Sequence, residues 1–385
     1  MITISYARNF THPNRKSRFN NHNTPALMRI TTLLLIIITL VSIISGCSFP
    51  FTSTDTMSDL SATDIPMHNT SSQDRQPPVP ITQYLRPSEL VSVSDAVSSE
   101  TEPAINTFTD LSVPTYLTKV EGTYFLVDCY HNQVIYHDNL EDPLAEWNVM
   151  TDEIERGHTL ASDGDVYLLD DTERNRILVF EKQEKGYVHT QTFSNIGCRP
   201  HYIVYDTATD TFYAWSSMTG EMYLFRHNAN STRMYLTEIR RIESLDQIYV
   251  RSFTIIGNDI YFVSGNSSIL RADLGSFEIK DTYPVPDTMT GMIQLTLIQD
   301  YFYITISTDR TGNQDYATII RTHDLSSLSF GEYEDVYDYF IGGGTPYYLT
   351  EIDHAYYLTE HRLPGHSLWR FQVEDNEIIQ VETIY

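Results

Sequence analysis

Short runs of alternating apolar and polar residues fill the chain from about residue 106 to its end. Tyr, Phe, Ile, Val and Thr dominate these runs, and Gly, Asn and Asp separate one run from the next. Because successive side chains of a β-strand point to opposite faces, this pattern indicates short strands joined by turns. No long stretch of the sequence has apolar residues at the helical spacing of about 3.6. We therefore predict an all-β domain.

One phrase recurs six times along this domain. The phrase begins with two adjacent residues that are aromatic or apolar. Alternating apolar residues follow, and then a polar turn and a second apolar strand. The second residues of the six phrases are Phe125, Tyr167, Tyr213, Tyr261, Tyr303 and Tyr357. Each repeat therefore covers 40 to 50 residues or slightly more, which is the length of a four-stranded propeller blade.

Six such repeats predict a six-bladed β-propeller of four-stranded blades over residues 106–385. A blade buries its faces only against its neighbours, so the ring of blades must close. A β-sandwich or a pair of smaller barrels is the alternative. Either would also have evenly spaced strands, but neither explains the same phrase six times.

The second repeat resembles the core of an NHL repeat. It reads Asp-Thr-Glu-Arg-Asn-Arg over residues 171–176, followed by alternating apolar residues, and the first repeat echoes it with Asp128 and Asn132. Prolines also fall where NHL-like blades often have them, at Pro114, Pro200 and Pro346. The resemblance implies a propeller of the NHL/YVTN kind. That fold carries both binding modules and enzymes, so it leaves the function open.

A short apolar run at residues 31–46 follows Arg29 and ends in Ile44-Ser45-Gly46-Cys47. It is shorter than the about 20 apolar residues of a membrane span, and its layout is typical of a secretory signal. The final four residues resemble the lipobox of bacterial lipoproteins. The resemblance implies a signal peptide over residues 1–46, cleavage before Cys47, and diacylglycerol and palmitate-like acyl chains on that cysteine, which together anchor a protein stably. An ordinary signal peptide and an uncleaved anchor are the alternatives.

The segment between this cysteine and the β domain differs from both in composition. Residues 47–105 are rich in Ser, Thr, Asp and Pro and contain no glycine. Such a segment buries too little apolar surface to order itself, so we predict a disordered, lipid-anchored stalk. The alternative is that Leu85 to Val97 packs on the domain as an extra strand. Met28 would begin a signal of ordinary length and is a better start than Met1.

These features predict a protein on the extracytoplasmic face of the cell membrane, or on the outer membrane of a cell with two membranes. The chain has a net charge of −26. Residues 1–46 hold five Lys or Arg and no acidic residue, so the remainder has 20 basic and 51 acidic residues. Such a balance argues against nucleic acid as a partner. The membrane, through Cys47, and an envelope glycan or a partner protein are the predicted partners.

Signatures of known catalytic sites are absent from the sequence: there is no HExxH, no GxSxG and no phosphate-binding loop. We therefore predict neither a metal nor a cofactor. Glu351, Asp353 and His354 are a weaker alternative as metal ligands, because strand alternation separates the third from the first two. Cys129 and Cys198 either form one disulfide or remain as buried thiols.

Two Arg-x-His triplets fall at equivalent places in consecutive repeats, where the innermost strands begin. They belong to a set that we predict to converge on one propeller face, together with strand starts at Gln294 and Tyr347. The candidate ligand-binding residues are Arg156, His158, Arg199, His201, Arg251, Arg310, His361 and Arg362. The planar fork of Arg suits carboxylate and phosphate groups. The alternative is structural, with Arg and His satisfying neighbouring carbonyls.

The predicted function is that of a binding or scaffolding module that acts through this face. The alternative is a propeller enzyme of the lyase or lactonase type, with an Arg/His or metal site in the central mouth. The 27 tyrosines have two interpretations as well. They either stack on envelope sugars or fill the packing between blades, and their place in the repeated phrase favours packing.

Overall fold

Each recurring phrase forms the second strand of an antiparallel sheet, and its partner strand forms the third. The computed structural model describes residues 91–96 and 102–385, which contain six such sheets. The predicted all-β, six-bladed propeller is confirmed. Residues 1–46, Cys47 and most of the predicted stalk lie outside the described residues. Within the described ranges, no helix has the length and apolar character that crossing a membrane requires.

The strands follow one another blade by blade. Two short strands, β1 (Ser92–Asp95) and β2 (Ala104–Ile105), precede the repeats. Blade 1 contains β3 (Pro114–Val120), β4 (Thr123–Asp128), β5 (Gln133–His137) and β6 (Asn148–Thr151). Blade 2 contains β7 (Leu160–Ser162), β8 (Val166–Asp171), β9 (Arg176–Gln183) and β10 (Gly186–Ser194). Blade 3 contains β11 (Pro200–Asp206), β12 (Thr211–Ser216), β13 (Glu221–His227) and β14 (Met234–Arg241).

Blades 4 to 6 repeat this order. Blade 4 contains β15 (Val250–Ile256), β16 (Asp259–Ser264), β17 (Ser268–Asp273) and β18 (Ile279–Pro284). Blade 5 contains β19 (Met292–Ile298), β20 (Tyr301–Ile306), β21 (Thr318–Thr322) and the two-residue β22 (Glu334–Asp335). Blade 6 contains β23 (Thr345–Ile352), β24 (Ala355–His361), β25 (Leu368–Glu374) and β26 (Glu377–Thr383). Short 3-10 helices lie in the loops, at Cys129–His131, Leu144–Glu146, Thr172–Arg174, Glu243–Leu245, Asp287–Met289, Gln314–Tyr316, Leu325–Phe330 and Tyr337–Tyr339.

Two strands lie inside the range 47–105 that we expected to be stalk. β1 pairs with β10 as a fifth strand of blade 2, within the segment that the alternative interpretation named. β2 pairs with β6 at the outer edge of blade 1. The side chains of both strands are exposed, so they are held by backbone pairing to open sheet edges and carry no apolar pattern. The folded part therefore begins before residue 106.

The ring closes without exchange of a strand, because blades 1 and 6 are each built from one continuous segment. Side chains join them. Thr359 Oγ1 donates to the Thr115 carbonyl at 2.8 Å, and the Tyr385 hydroxyl lies 2.5 and 2.6 Å from the carbonyls of Leu140 and Asp142, between which its one proton is shared. The C-terminal residue thus ties the last blade to the first.

Tyrosines of three inner strands fill the centre of the ring. The rings of Tyr202 and Tyr348 lie 5.0 Å apart, and Tyr116 lies 6.4 and 6.1 Å from them. These residues belong to blades 3, 6 and 1, so the contacts cross the central axis. Packing is therefore the role of these tyrosines.

Candidate functional site

The inner strands share an irregularity at their first residues. In five blades the register between the first and second strands shifts there, so that one inner-strand residue is left out of the pairing in blades 1, 3 and 5 and two in blades 4 and 6. In blade 2 the equivalent residue lies just before β7. We call these residues the bulge ring: Thr115, His158, His201, Arg251, Ile293 and Tyr347. A bulge changes the direction in which its side chain points, and here the bulged side chains point towards the central axis.

A second set of equivalent residues directly follows the second strand in blades 1 to 5 and ends it in blade 6. We call it the strand-end ring: Cys129, Thr172, Ser217, Gly265, Ser307 and His361. Several of its members donate to carbonyls at the inner-strand starts. Thr172 binds the Pro200 carbonyl at 2.8 Å, and Ser307 binds that of Gly291 at 2.9 Å. The two rings together form the mouth of the propeller, and neither contains an acidic residue.

His158 and His201 stack on each other at the mouth, with ring centroids 3.7 Å apart and planes 28° apart. They are 6% and 0% exposed. His201 lies between two hydroxyls, with Nδ1 3.2 Å from Tyr348 Oη and Nε2 3.1 Å from Tyr249 Oη. Just before His158, Gly157 lets the backbone come close to β8, since a Cβ there would lie 2.8 Å from the carbonyl oxygen of Asp170. The two predicted histidines therefore do meet.

The protonation of His158 follows from its partners. Nδ1 lies 3.0 Å from Thr172 Oγ1, and that hydroxyl also contacts Asp170 Oδ2 and the Pro200 carbonyl, both at 2.8 Å. A hydroxyl has one proton, and a carboxylate and a carbonyl only accept. Thr172 therefore accepts from His158 Nδ1–H. The Nε2 lone pair of neutral His158 is left facing Cys129 Sγ, 3.9 Å away.

His361 reaches the same mouth from blade 6. Its Nε2–H donates to the Pro114 carbonyl at 3.0 Å, and its ring stacks on Tyr347 with centroids 4.7 Å apart. Tyr347 in turn lies 6.1 Å from the ring of His158. His361 therefore has the structural role that we gave as the alternative, because it satisfies a carbonyl across the seam between blades 6 and 1.

All three histidines are held neutral. Burial lowers the pKa of His158 well below its usual value, and the charges of Arg199 and Arg251 lower it further. Burial, His158 and Arg251 act in the same direction on the pKa of His201. Burial lowers the pKa of His361 to about 3, despite its carbonyl partner. Neutral rings offer both a donor and an acceptor at neutral pH.

Beneath His158 lies a buried carboxylate. Asp170 is 0% exposed and accepts from the backbone N–H of His158 at 2.9 Å and of Thr159 at 2.6 Å. Burial raises the pKa of Asp170 to about 6, against the effect of these hydrogen bonds. Thr159 Oγ1 also accepts from Ile203 N at 2.9 Å, so this carboxylate helps to hold blade 2 against blade 3.

The predicted arginines have different surroundings. Arg251 donates to Ser307 Oγ at 2.9 Å, and Arg199 donates to Glu173 Oε1 at 2.6 Å. The Arg156 guanidinium lies over the ring of Tyr130, 3.7 Å from its centroid. Its Nη1 is buried and has no hydrogen-bond partner among the described residues. Arg156 is thus a mouth arginine with a donor left over.

Two of the predicted residues do not join this group. The Arg310 side chain is 70% exposed and lies 3.4 Å from Asp287 Oδ1. Arg362 donates to Thr345 Oγ1 at 2.6 Å and to Gln314 Oε1 at 2.7 Å, so it fastens the loops of blades 5 and 6. Both remain on the mouth side of the ring, at its rim.

The alternative metal ligands lie at the other end of the inner strands. Asp353 and Glu351 line an open cavity of about 490 Å³ with Glu121 and Lys119, and Lys119 Nζ is 2.6 Å from Asp353 Oδ2. Among the described residues, no group of three His, Cys, Asp or Glu is placed to hold a metal ion. Their carboxylates instead flank a lysine.

Sequence reasoning missed Cys129, Thr172 and Tyr249 as parts of the mouth. Cys129 and Cys198 were considered only as one disulfide or as two buried thiols, and the structure has no disulfide between them, with Cys129 buried and Cys198 exposed. The signal that finds Cys129 and Thr172 is positional, since each follows the repeat Asp that ends the second strand, Asp128 in blade 1 and Asp171 in blade 2.

Solved structures of other propellers share this fold. A Bacteroides uniformis protein provisionally assigned as a 6-phosphogluconolactonase aligns with a TM-score of 0.52 and 14% identity, over 71% of this chain and 86% of its own. A Bacteroides fragilis protein with the same provisional assignment aligns with a TM-score of 0.51 and 11% identity, over 70% and 83%. No protein-family model and no curated protein matches the sequence. At these identities the likeness shows the fold alone.

Proposed function

We propose that this chain is a lipid-anchored, extracytoplasmic binding protein whose mouth binds an anionic group of an envelope glycan. The observation that carries the proposal is the Arg156 guanidinium, which is stacked on Tyr130, with Nη1 buried and without a hydrogen-bond partner in the part of the chain that the structure describes. A buried cationic donor without an acceptor costs free energy, and a carboxylate or phosphate would supply that acceptor.

The surrounding charges support an anion. The chain has 51 acidic residues, yet neither ring of the mouth contains one. The positive charge of Arg251 lowers the pKa of all three mouth histidines. Neutral His158 and His201 add polar groups without negative charge. Because the rest of the surface is acidic and repels anions, the positive mouth is the place on this protein where an anion binds favourably.

The anchor and the location rest on the sequence. The apolar run ending in Cys47 lies outside the described residues, so its support is the lipobox resemblance and the signal-like layout. A lipid at this position would place the propeller on the outer side of a membrane, where glycans of the envelope are the abundant anions.

A matched pair of sugars tests the binding. N-acetylmuramic acid differs from N-acetylglucosamine by a lactyl ether that carries a carboxylate. We expect the full chain in detergent to bind the first about tenfold more tightly, which corresponds to about 1.4 kcal/mol. Ligand-observed NMR titration measures both affinities. Equal affinities would contradict the proposal. If a pull-down with the chain recovers only an acidic protein from envelope extracts, the partner is that protein and not a glycan.

A further inference from the structure

Cys129 and His158 face each other where blades 1 and 2 meet. Cys129 Sγ lies 3.9 Å from His158 Nε2, the nitrogen whose lone pair is left over when Nδ1–H donates to Thr172. In the strand-end ring, Thr172 and Ser307 donate to backbone carbonyls. At the equivalent place in blade 1, the Cys129 thiol lies beside an imidazole.

The imidazole is held by a chain of hydrogen bonds behind it. Thr172 Oγ1 lies between His158 Nδ1, at 3.0 Å, and Asp170 Oδ2, at 2.8 Å. A nucleophile, a base within reach of its proton and a third group that orients the base are the parts that activate a thiol. Burial and nearby arginines lower the pKa of His158, so the ring is neutral and its Nε2 lone pair is available, and the same effects make the imidazolium a short-lived carrier that passes its proton on to the leaving group.

We propose that Cys129 and His158 are a nucleophile–base pair, and that the mouth takes up activated acyl groups as thioesters on Cys129. The Cys129 sulfur forms a bond to the acyl carbon while its proton passes to His158 Nε2. The bond from that carbon to the leaving oxygen breaks, and the leaving group takes the proton from Nε2. Water then hydrolyses the thioester, which returns the thiol and releases the acid. Thr172 acts as a positioning residue through His158.

The proposal requires a small substrate. Cys129 is 1% exposed and His158 6% exposed, so we expect a group to reach the sulfur only if it is small and enters between the bulge ring and the strand-end ring. The inference uses the mouth of the proposed function as its route. It does not depend on the preference for anions, and a neutral reagent separates the two.

Acetylation by p-nitrophenyl acetate, a neutral activated ester, tests the pair. The full chain in detergent is treated, and peptide mass spectrometry follows acetylation at each cysteine. The exposed thiol of Cys198 is the internal reference. We expect acetylation of Cys129 in the folded protein. An unmodified Cys129 under conditions that acetylate Cys198 would show an inert buried thiol and overturn the proposal.

Variants identify the base. His158→Gln is expected to slow acetylation of Cys129 by about tenfold or more, because it removes a general base, and to leave Cys198 unchanged. His189→Gln is the matched control, since His189 lies in β10 of the same blade with its Nε2 near the Gln191 carbonyl. Unchanged acetylation of Cys129 in folded His158→Gln would exclude His158 as the base.

Thr172 offers a second measurement if His158→Gln does not fold. Thr172→Val removes the hydroxyl that orients His158 and should slow acetylation at Cys129, whereas Thr172→Ser should restore it. Equal rates in Val and Ser variants would contradict the positioning role.

A charged ester distinguishes this inference from the proposed function. The p-nitrophenyl monoester of succinic acid carries a carboxylate. If the mouth attracts anions, the rate ratio of this ester to the acetate is higher at Cys129 than at Cys198. If Cys129 is acetylated but the rate ratio is the same at Cys129 and Cys198, the anion preference is contradicted and the nucleophile–base pair is not.

Discussion

The junctions between blades 1 and 2 and between blades 2 and 3 have the same backbone and different chemistry. In the first, Asn132 has a left-handed conformation and its Oδ1 accepts from Arg156 N at 3.1 Å. In the second, Asn175 does the same for Arg199 N at 2.7 Å. Both arginines have positive φ, 58° and 59°. The Asn of the repeat thus fixes how the next inner strand begins.

The residues between the repeat Asp and this Asn differ. Glu173 lies on the 3-10 turn of blade 2 and pairs with Arg199, whereas Tyr130 has the equivalent place in blade 1 and lies under Arg156. One junction neutralises its arginine and the other does not. Repetition sets the scaffold, and single residues within it decide which junction retains a positive charge.

The largest expected effect tests whether the two scaffolds are equivalent. Asn132→Ala and Asn175→Ala should each lower the free energy of unfolding by about 2–3 kcal/mol, because an N–H loses its acceptor and Ala is strained at positive φ. Urea denaturation of both variants measures this.

A glycine variant separates the loss of the hydrogen-bond acceptor from the backbone strain. Asn175→Gly keeps the left-handed conformation but removes the acceptor, so it should cost less than Asn175→Ala. A large loss at one junction with none at the other would show that the similar backbones are not held in the same way.

The sequence predicted the scaffold better than the site. The continuous apolar runs around Phe125 and Tyr167 indicate burial on both faces of a blade, which is a local property, so the strands and their number followed. β1 was foreseen only in the alternative interpretation of Leu85 to Val97, and β2 escaped notice, because exposed side chains on edge strands leave no clear apolar pattern.

The mouth was only partly predictable. Arg156 and Arg199 were placed correctly at inner-strand starts, since the repeat length indicates position. Their partners Tyr130 and Glu173 lie 26 residues earlier in the chain, in the preceding blade. Which side chain an arginine meets depends on how adjacent blades pack, and spacing within one repeat does not contain that information.

The second effect concerns binding. Arg156→Gln should weaken binding of N-acetylmuramic acid by about tenfold, because the donor that lacks a partner is lost. Arg199→Gln should weaken it by about twofold, since Glu173 already occupies that guanidinium. Ligand-observed NMR titration compares the two variants, and urea denaturation checks that both are folded. Equal losses of affinity in the two variants would mean that Arg156 and Arg199 contribute equally to binding.

The smallest effect comes from exchanging the distinguishing residues. Tyr130→Glu gives blade 1 the acidic residue of blade 2, so its carboxylate should pair with Arg156 and weaken binding of N-acetylmuramic acid by about threefold. Glu173→Tyr makes the reverse change and should strengthen binding by a similar factor, because Arg199 is released.

The exchange also separates charge from shape. Tyr130→Gln removes the ring without adding a charge, so it should leave Arg156 available and change affinity less than Tyr130→Glu. If Gln and Glu weaken binding of N-acetylmuramic acid equally, the stacked ring of Tyr130 matters through its position under the guanidinium. If only Glu does so, the missing carboxylate is what sets the first junction apart from the second.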